Sequence, residues 1–189
     1  MMTSTVKDAP SKKALVVIDV QVGIARHENI HANWLAILSN IAALVSSSHA
    51  AALPVIFVQH DGGPGDPLEP GTDGWALCPE LGMAATDLLV RKTACDAFFG
   101  TNLESILHGR GVQCLVVAGC MTEYCVDTTV RRAVSLGFDV ILAGDAHGTL
   151  NSSSLRAEQI IDHHNNLLEG FAAGGATVGV KPTATVSFA

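Results

Sequence analysis

The stretch from Leu115 to Ala133, LVVAGCMTEYCVDTTVRRA, binds a buried strand to a helix within a few residues, and few architectures accommodate that junction. Leu115 to Ala118 read as a short apolar strand and Gly119 as its exit. Thr122 reads as a helix N-cap whose hydroxyl takes an orphan backbone N-H. The helix then continues to Leu136, with Gly137 as the C-prime residue. Cys125 falls in the first turn, where unpaired N-H groups and the positive end of the macrodipole bias a thiol toward thiolate. On this stretch alone a second reading stays open, because most free cysteines are small core hydrophobes.

The same alternation recurs along the chain. Ala14 to Val20 form an apolar run broken only by Asp19, as in a strand covered on both faces. Trp34, Ile37, Leu38, Ile41, Leu44 and Val45 recur at helical spacing. Further strands are read at Val55 to Gln59, Leu88 to Arg91, Val112 to Ala118 and Asp139 to Ala143, with tail candidates at Ala176 to Val180 and Thr183 to Val186. Thr101 and Glu104 form a capping-box pattern ahead of a helix from about Asn102 to His108. A long helix follows the serines at 152–154, with Ile160, Ile161, His164, Leu167, Leu168 and Phe171 on one face. Residues 1–13 read as a flexible N-terminal arm and 14–189 as a single domain. Strands alternating with helices predict an α/β three-layer sandwich, a mostly parallel five- or six-stranded sheet with helices on both faces.

Such sheets bind ligands at the carboxyl ends of their strands. Asp19, Lys92 and Cys125 all stand at those ends and therefore converge on one edge. A carboxylate there is costly unless paired, and Lys92 supplies the partner. Asp19 is placed to take the thiol proton, and Lys92 to hold the carboxylate and help the thiolate form. Between strands, His60 to Thr86 contain six glycines and four prolines, a composition typical of a binding loop or lid. Trp75 in that loop either closes over a ligand or pins the loop to the core.

Composition limits the partners. A net charge of -7 with 11 Lys plus Arg works against nucleic acid and anionic lipid, and no segment has the length of a membrane span. The apolar run after Lys12 and Lys13 ends at Asp19, short of a signal-peptide core. Five cysteines, an odd number without scaffold spacing, fit a reducing cytoplasm. Cys120 and Cys125 lack a second pair with zinc-ligand spacing, so neither a metal nor another cofactor is read. With 48% apolar and 15% charged residues, a homo-oligomer acting on a small molecule is expected.

In order and spacing these residues resemble the isochorismatase-like cysteine hydrolases, the superfamily that includes nicotinamidases. The likeness rests on VVIDVQ at Val16 to Gln21, VIFVQHDG at Val55 to Gly62, RKTACDAFFGTNLE at Arg91 to Glu104, VVAGCMTEYCVDTTVRRA at Val116 to Ala133, and DAH at Asp145 to His147. It covers the chain from Ala14 to about Phe171. The resemblance implies a catalytic triad of Asp19, Lys92 and Cys125. It also implies a cis peptide between Cys120 and Met121, and an oxyanion hole formed by the Met121 and Cys125 backbone N-H groups. The implied reaction is hydrolysis of an amide or related C-N bond through a thioester. Gln21 is placed to line the pocket or to serve the strand end; Tyr124, Phe98 and Phe99 are pocket candidates too, although aromatics at such positions more often serve packing.

Two departures matter. Nicotinamidases carry a metal site after the second strand, whereas this chain has His60 and Asp61 followed by glycines, so a catalytic metal and nicotinamide itself lose support. Isochorismatases proper lack the cysteine nucleophile, which Cys125 supplies. Two alternatives remain: a nicotinamidase with an altered metal site at His60 and Asp61, and a non-catalytic redox or ligand-binding member of the fold pairing Cys120 with Cys125.

Overall fold

Why the central strands read as nearly continuous apolar runs is visible in their surroundings. In the computed structural model, which describes residues 12–188, β1 (Lys13–Ile18) sends Ala14, Val16 and Ile18 into one apolar layer and Leu15 and Val17 into the other. In β2 (Val55–His60), Ile56 and Val58 face the first layer, and Val55 and Phe57 the second. In β4 (Cys114–Cys120), Leu115 and Val117 alternate likewise with Val116, Ala118 and Cys120. A period of two with both faces covered leaves no solvent side to be polar.

With β3 (Leu88–Lys92), β5 (Asp139–Gly148), β6 (Ala172–Ala173) and β7 (Ala176–Lys181), the sheet has seven strands in the order β3-β2-β1-β4-β5-β7-β6, all parallel except the β6–β7 pair. The expected five or six strands become seven because the two-residue β6 carries no periodicity to be read. A short helix, α1 (Val22–Ala25), follows β1. The long α2 (Trp34–Ala50) covers the Leu15 face, whereas α3 (Leu103–Gly109) and α4 (Asp127–Ser135) cover the Val16 face. From α5 (Ala157–Leu168), Ile161 reaches one layer and Leu168 the other. The three-layer sandwich thus stands.

Local expectations fared unevenly. Gly137 sits at φ +91 after α4, as a C-prime glycine should. Thr183 to Val186 are no strand: Pro182 starts a 3-10 turn at Thr183–Thr185, and Asp145 takes both the Thr183 N-H and hydroxyl at 2.7 Å. The Thr101 capping box does not form, because Thr101 Oγ1 donates to the Ala97 carbonyl at 2.6 Å and Asn102 becomes the N-cap. Leu167, expected on the buried face of α5, is 47% exposed. The N-terminal arm lies outside the described residues up to residue 11, while Lys13, counted with it, is the first residue of β1. Among the described residues no helix is long and apolar enough to cross a membrane.

Winding from β1 to β2 to β3 runs one way and β4 lies on the other side of β1, so the strand order reverses between β1 and β4. At that switch point the carboxyl ends splay and a cleft opens. Gly119, at φ +124, lets β4 close against β1 there; a Cβ would overlap the Ile18 carbonyl oxygen.

Candidate active site

Asp19 leaves β1 by turning into the left-handed region at φ +50, with its amide donating to the Val58 carbonyl at 2.9 Å. Lys92 is the last residue of β3, in register with His60 at the end of β2. Its side chain crosses the end of β2 to reach the residues following β1 and β4. Lys92 Nζ lies 2.6 Å from Asp19 Oδ2, 3.2 Å from Cys125 Sγ, 3.0 Å from the Ala94 carbonyl and 3.3 Å from His60 Nδ1. Both side chains of the ion pair are buried, Lys92 at 0% and Asp19 at 2% exposure. The three residues read from the sequence are therefore brought together at one point.

The electrostatics depart from expectation at the thiol. Burial pushes the Cys125 pKa up, the Asp19 charge pushes it further, and the Lys92 ammonium only partly opposes them. Both influences run against the thiolate bias expected from the first helical turn. Its turn also differs from the expected one: Thr122–Val126 form a π-type turn in which the Tyr124 and Val126 amides both donate to the Met121 carbonyl. Burial raises the Asp19 carboxyl despite the Lys92 ammonium, and Asp19 Oδ1 has no hydrogen-bond partner among the described residues. That oxygen is left with lone pairs no described residue occupies. Burial opposes the charge on Lys92, but Asp19 and Cys125 together hold its pKa above the ordinary lysine value.

The Cys120–Met121 peptide bond is cis. Thr122, immediately after it, caps nothing with its side chain. Its hydroxyl instead donates to His147 Nδ1 at 2.9 Å, His147 Nε2-H donates to Asn165 Oδ1 at 2.9 Å, and Asn165 Nδ2 donates to the Gly144 carbonyl at 2.9 Å. The amide of Asn165, oriented by Gly144, fixes the imidazole tautomer and with it the direction of the Thr122 hydroxyl. Sequence reading missed this relay, although His147 stood in the DAH motif; its partners are distant in the chain.

Burial lowers the His147 pKa to about 4 from the ordinary 6.5. The unfolded chain then takes up the proton first as pH falls. The neutral histidine's contribution is complete above pH 6.5, declines from there to about pH 4, and is gone below; its size is roughly 3 kcal/mol. Urea unfolding at pH 7 and pH 4.5 is expected to show a shallower loss of stability in His147→Gln than in the parent chain; equal losses would remove this histidine from the account.

A cavity of about 310 Å3 opens beside Asp19 and Cys125, lined also by Met121, Tyr124, His27, His60 and the loop residues Asp66, Pro67 and Leu68. A larger cavity, about 530 Å3, lies between the end of α2 and the start of β3, where His49 pairs with Asp87 at 2.8 Å; none of its lining residues is a cysteine. Among the pocket candidates, Tyr124 lines the smaller cavity. Gln21 does not: it is fully buried, donating to the His60 and Trp75 carbonyls at 3.0 and 2.8 Å and accepting from the His60 amide at 2.9 Å. Trp75 pins the loop, its Nε1 donating to Asp61 Oδ1 at 2.8 Å with the Arg91 guanidinium 4.9 Å from its ring center. Phe98 stacks on Phe138 in the core, and Phe99 is 70% exposed away from the cavity.

The donor set expected for an altered metal site does not fit a cation. Asp61 is engaged by Trp75 and by Arg91, at 3.0 and 2.8 Å, and His60 Nδ1 faces an ammonium. Cys120 and Cys125 lie against opposite faces of the sheet, both as free thiols, which leaves the redox pairing without geometric support.

The family model of the isochorismatase domain matches residues 13–179. Streptothricin hydrolase of Streptomyces noursei is 35% identical over 137 residues, 72% of this chain and 50% of that protein; the chain spans about half the length of the streptothricin hydrolases it matches. Ureidoacrylate amidohydrolase of Rhizobium rhizogenes is 30% identical over 175 residues, covering 72% of this chain and 70% of that protein. A crystal structure of an isochorismatase family protein superposes with a TM-score of 0.82 at 34% identity, covering 92% of this chain and 99% of the other.

Proposed function

The chain belongs to the isochorismatase family, and from that premise we propose that it is a cysteine-dependent hydrolase of a small-molecule amide or related C-N bond. One observation carries the reading: a buried ammonium held 2.6 Å from a carboxylate and 3.2 Å from a thiol, at the base of a cavity of substrate size. The names of the relatives, a streptothricin hydrolase and an amidohydrolase, support the same bond class.

In the proposed mechanism Asp19 Oδ1 accepts the Cys125 proton as sulfur attacks the substrate carbonyl. The developing oxyanion is received by the backbone N-H groups of Met121 and Cys125, each donor contributing on the order of 3 kcal/mol. Asp19 returns the proton to the departing nitrogen, which leaves as an amine or ammonia. A water then gives its proton to Asp19 and attacks the thioester, and the acid departs as the thiol is restored. Lys92 stays charged throughout, holding the carboxylate in place and opposing the negative charge that forms on sulfur.

The test is mass spectrometry of the protein quenched in acid during turnover of a panel of small amides. An acyl mass on the Cys125 peptide is expected; turnover with the acyl group on any other residue, or with no acyl-enzyme under rapid quench, would overturn the thioester route.

A further inference from the structure

The cavity's charge is lopsided, and that restricts what the proposed hydrolase can accept. Ile24, Pro67, Leu68 and Leu150 give it apolar walls. Asp66 is the second carboxylate that lines it, besides Asp19, whose charge Lys92 balances. No Lys or Arg among the described residues lines the cavity. Lys92 behind it is not free to receive an anion, since its donors are engaged by Asp19, Cys125 and the Ala94 carbonyl. Arg91 is turned to Asp61 and stacked on Trp75.

Asp66 is also held in position. Its Oδ1 accepts the Leu68 amide at 2.7 Å, and its carboxyl group packs over Gly62 so closely that a Cβ there would overlap it. The other oxygen, Oδ2, makes no hydrogen bond among the described residues. Burial and then the Lys92 ammonium lower the His60 pKa, against the smaller pull of the Asp19, Asp66 and Asp61 charges, so this imidazole is disfavored as a cation, and the whole chain carries -7.

A carboxylate-bearing substrate would find the imidazoles of His27 and His60 but no Lys or Arg in the lining, and would enter against this field. An amine or guanidinium borne by the substrate would meet the exposed Asp66 carboxylate in a charge-assisted hydrogen bond. Resting on the hydrolase reading above, we infer that the substrate is a cationic amide, its ammonium or guanidinium group seated against Asp66 and its carbonyl against Cys125.

The test separates the two readings by using probes that need only the thiol and the cavity. The full chain is treated with three methanethiosulfonates that differ in the group they deliver: trimethylammonioethyl, hydroxyethyl and sulfonatoethyl. In each case sulfur attack forms a mixed disulfide and expels methanesulfinate. Rates at the Cys125 peptide are read by mass spectrometry, separately from Cys95, which also lines the cavity, and are divided by the rates with 2-mercaptoethanol. At low salt the cationic reagent is expected to exceed the anionic one by about tenfold, the equivalent of about 1.4 kcal/mol. Asp66→Asn, which keeps the acceptor for the Leu68 amide, and 0.5 M salt are each expected to bring that ratio toward one.

A ratio near one, an anionic preference, or a cationic preference that survives Asp66→Asn overturns the inference. Labelling that keeps its charge order while no amide acylates Cys125 would instead overturn the hydrolase reading and leave the cavity's polarity standing. Failure of all three reagents to reach Cys125 overturns both.

Discussion

Cys125→Ala is expected to lower kcat/KM for the amide that acylates the parent chain by about 10^5-fold or more, since removing the nucleophile of a covalent mechanism removes the whole first step. The fold should persist. Cys125 is only half-buried, and Lys92 keeps Asp19, the Ala94 carbonyl and His60 within reach when sulfur is gone. Deleting one sulfur from a partly open site is worth on the order of 1 kcal/mol, far below the loss in activation free energy, roughly 7 kcal/mol for 10^5-fold. Steady-state kinetics beside thermal unfolding of the same preparation separates these effects. Activity within tenfold of the parent in a folded Cys125→Ala protein would place the nucleophile elsewhere.

That such an experiment can be designed around one residue reflects what the sequence made legible. The strands at Val16, Val55 and Leu115 were readable because each is buried on both faces, so no polar residue interrupts the run until the strand ends; the interruption itself, Asp19, marks the site. Parallel order then forces strand ends onto one edge, and Asp19, Lys92 and Cys125 meet there. What escaped was whatever depended on a partner far along the chain. Thr122 looked like a cap because local preference favors one, but the imidazole of His147, carried alongside by the irregular pairing between β4 and β5, takes its hydroxyl instead. The first turn of the helix promised a thiolate, yet burial and the Asp19 charge push that thiol the other way. Asp66 lay hidden because the path of a loop with six glycines cannot be read from periodicity; only the fold shows it turning back over Gly62 to the cavity.

The Asp19–Lys92 pair separates holding the fold from running the reaction. Lys92→Met leaves a carboxylate at 2% exposure without its cation, and breaking a buried pair from one side costs about 3 to 5 kcal/mol. Asp19→Asn leaves the ammonium with the sulfur and two weaker acceptors and should cost less. The double variant Asp19→Asn with Lys92→Met removes both charges, so urea unfolding at pH 7 should show it less destabilized than the sum of the singles, with a coupling of about 2 kcal/mol. Singles costing under about 1 kcal/mol each and adding without coupling would mean the pair is not the buried, interdependent unit seen here. Catalysis should not follow stability back. Asp19→Asn removes the proposed base and is expected to lower kcat by about 10^2- to 10^4-fold. The same change also removes the charge that pushes the Cys125 thiol up while retaining Lys92, which pulls it down. Iodoacetamide should therefore alkylate Cys125 faster in Asp19→Asn than in the parent at pH 7, even as hydrolysis collapses. A more reactive sulfur in a poorer enzyme is the signature of a carboxylate that carries the proton. If alkylation and hydrolysis fall together in Asp19→Asn, the carboxylate serves only to position Lys92.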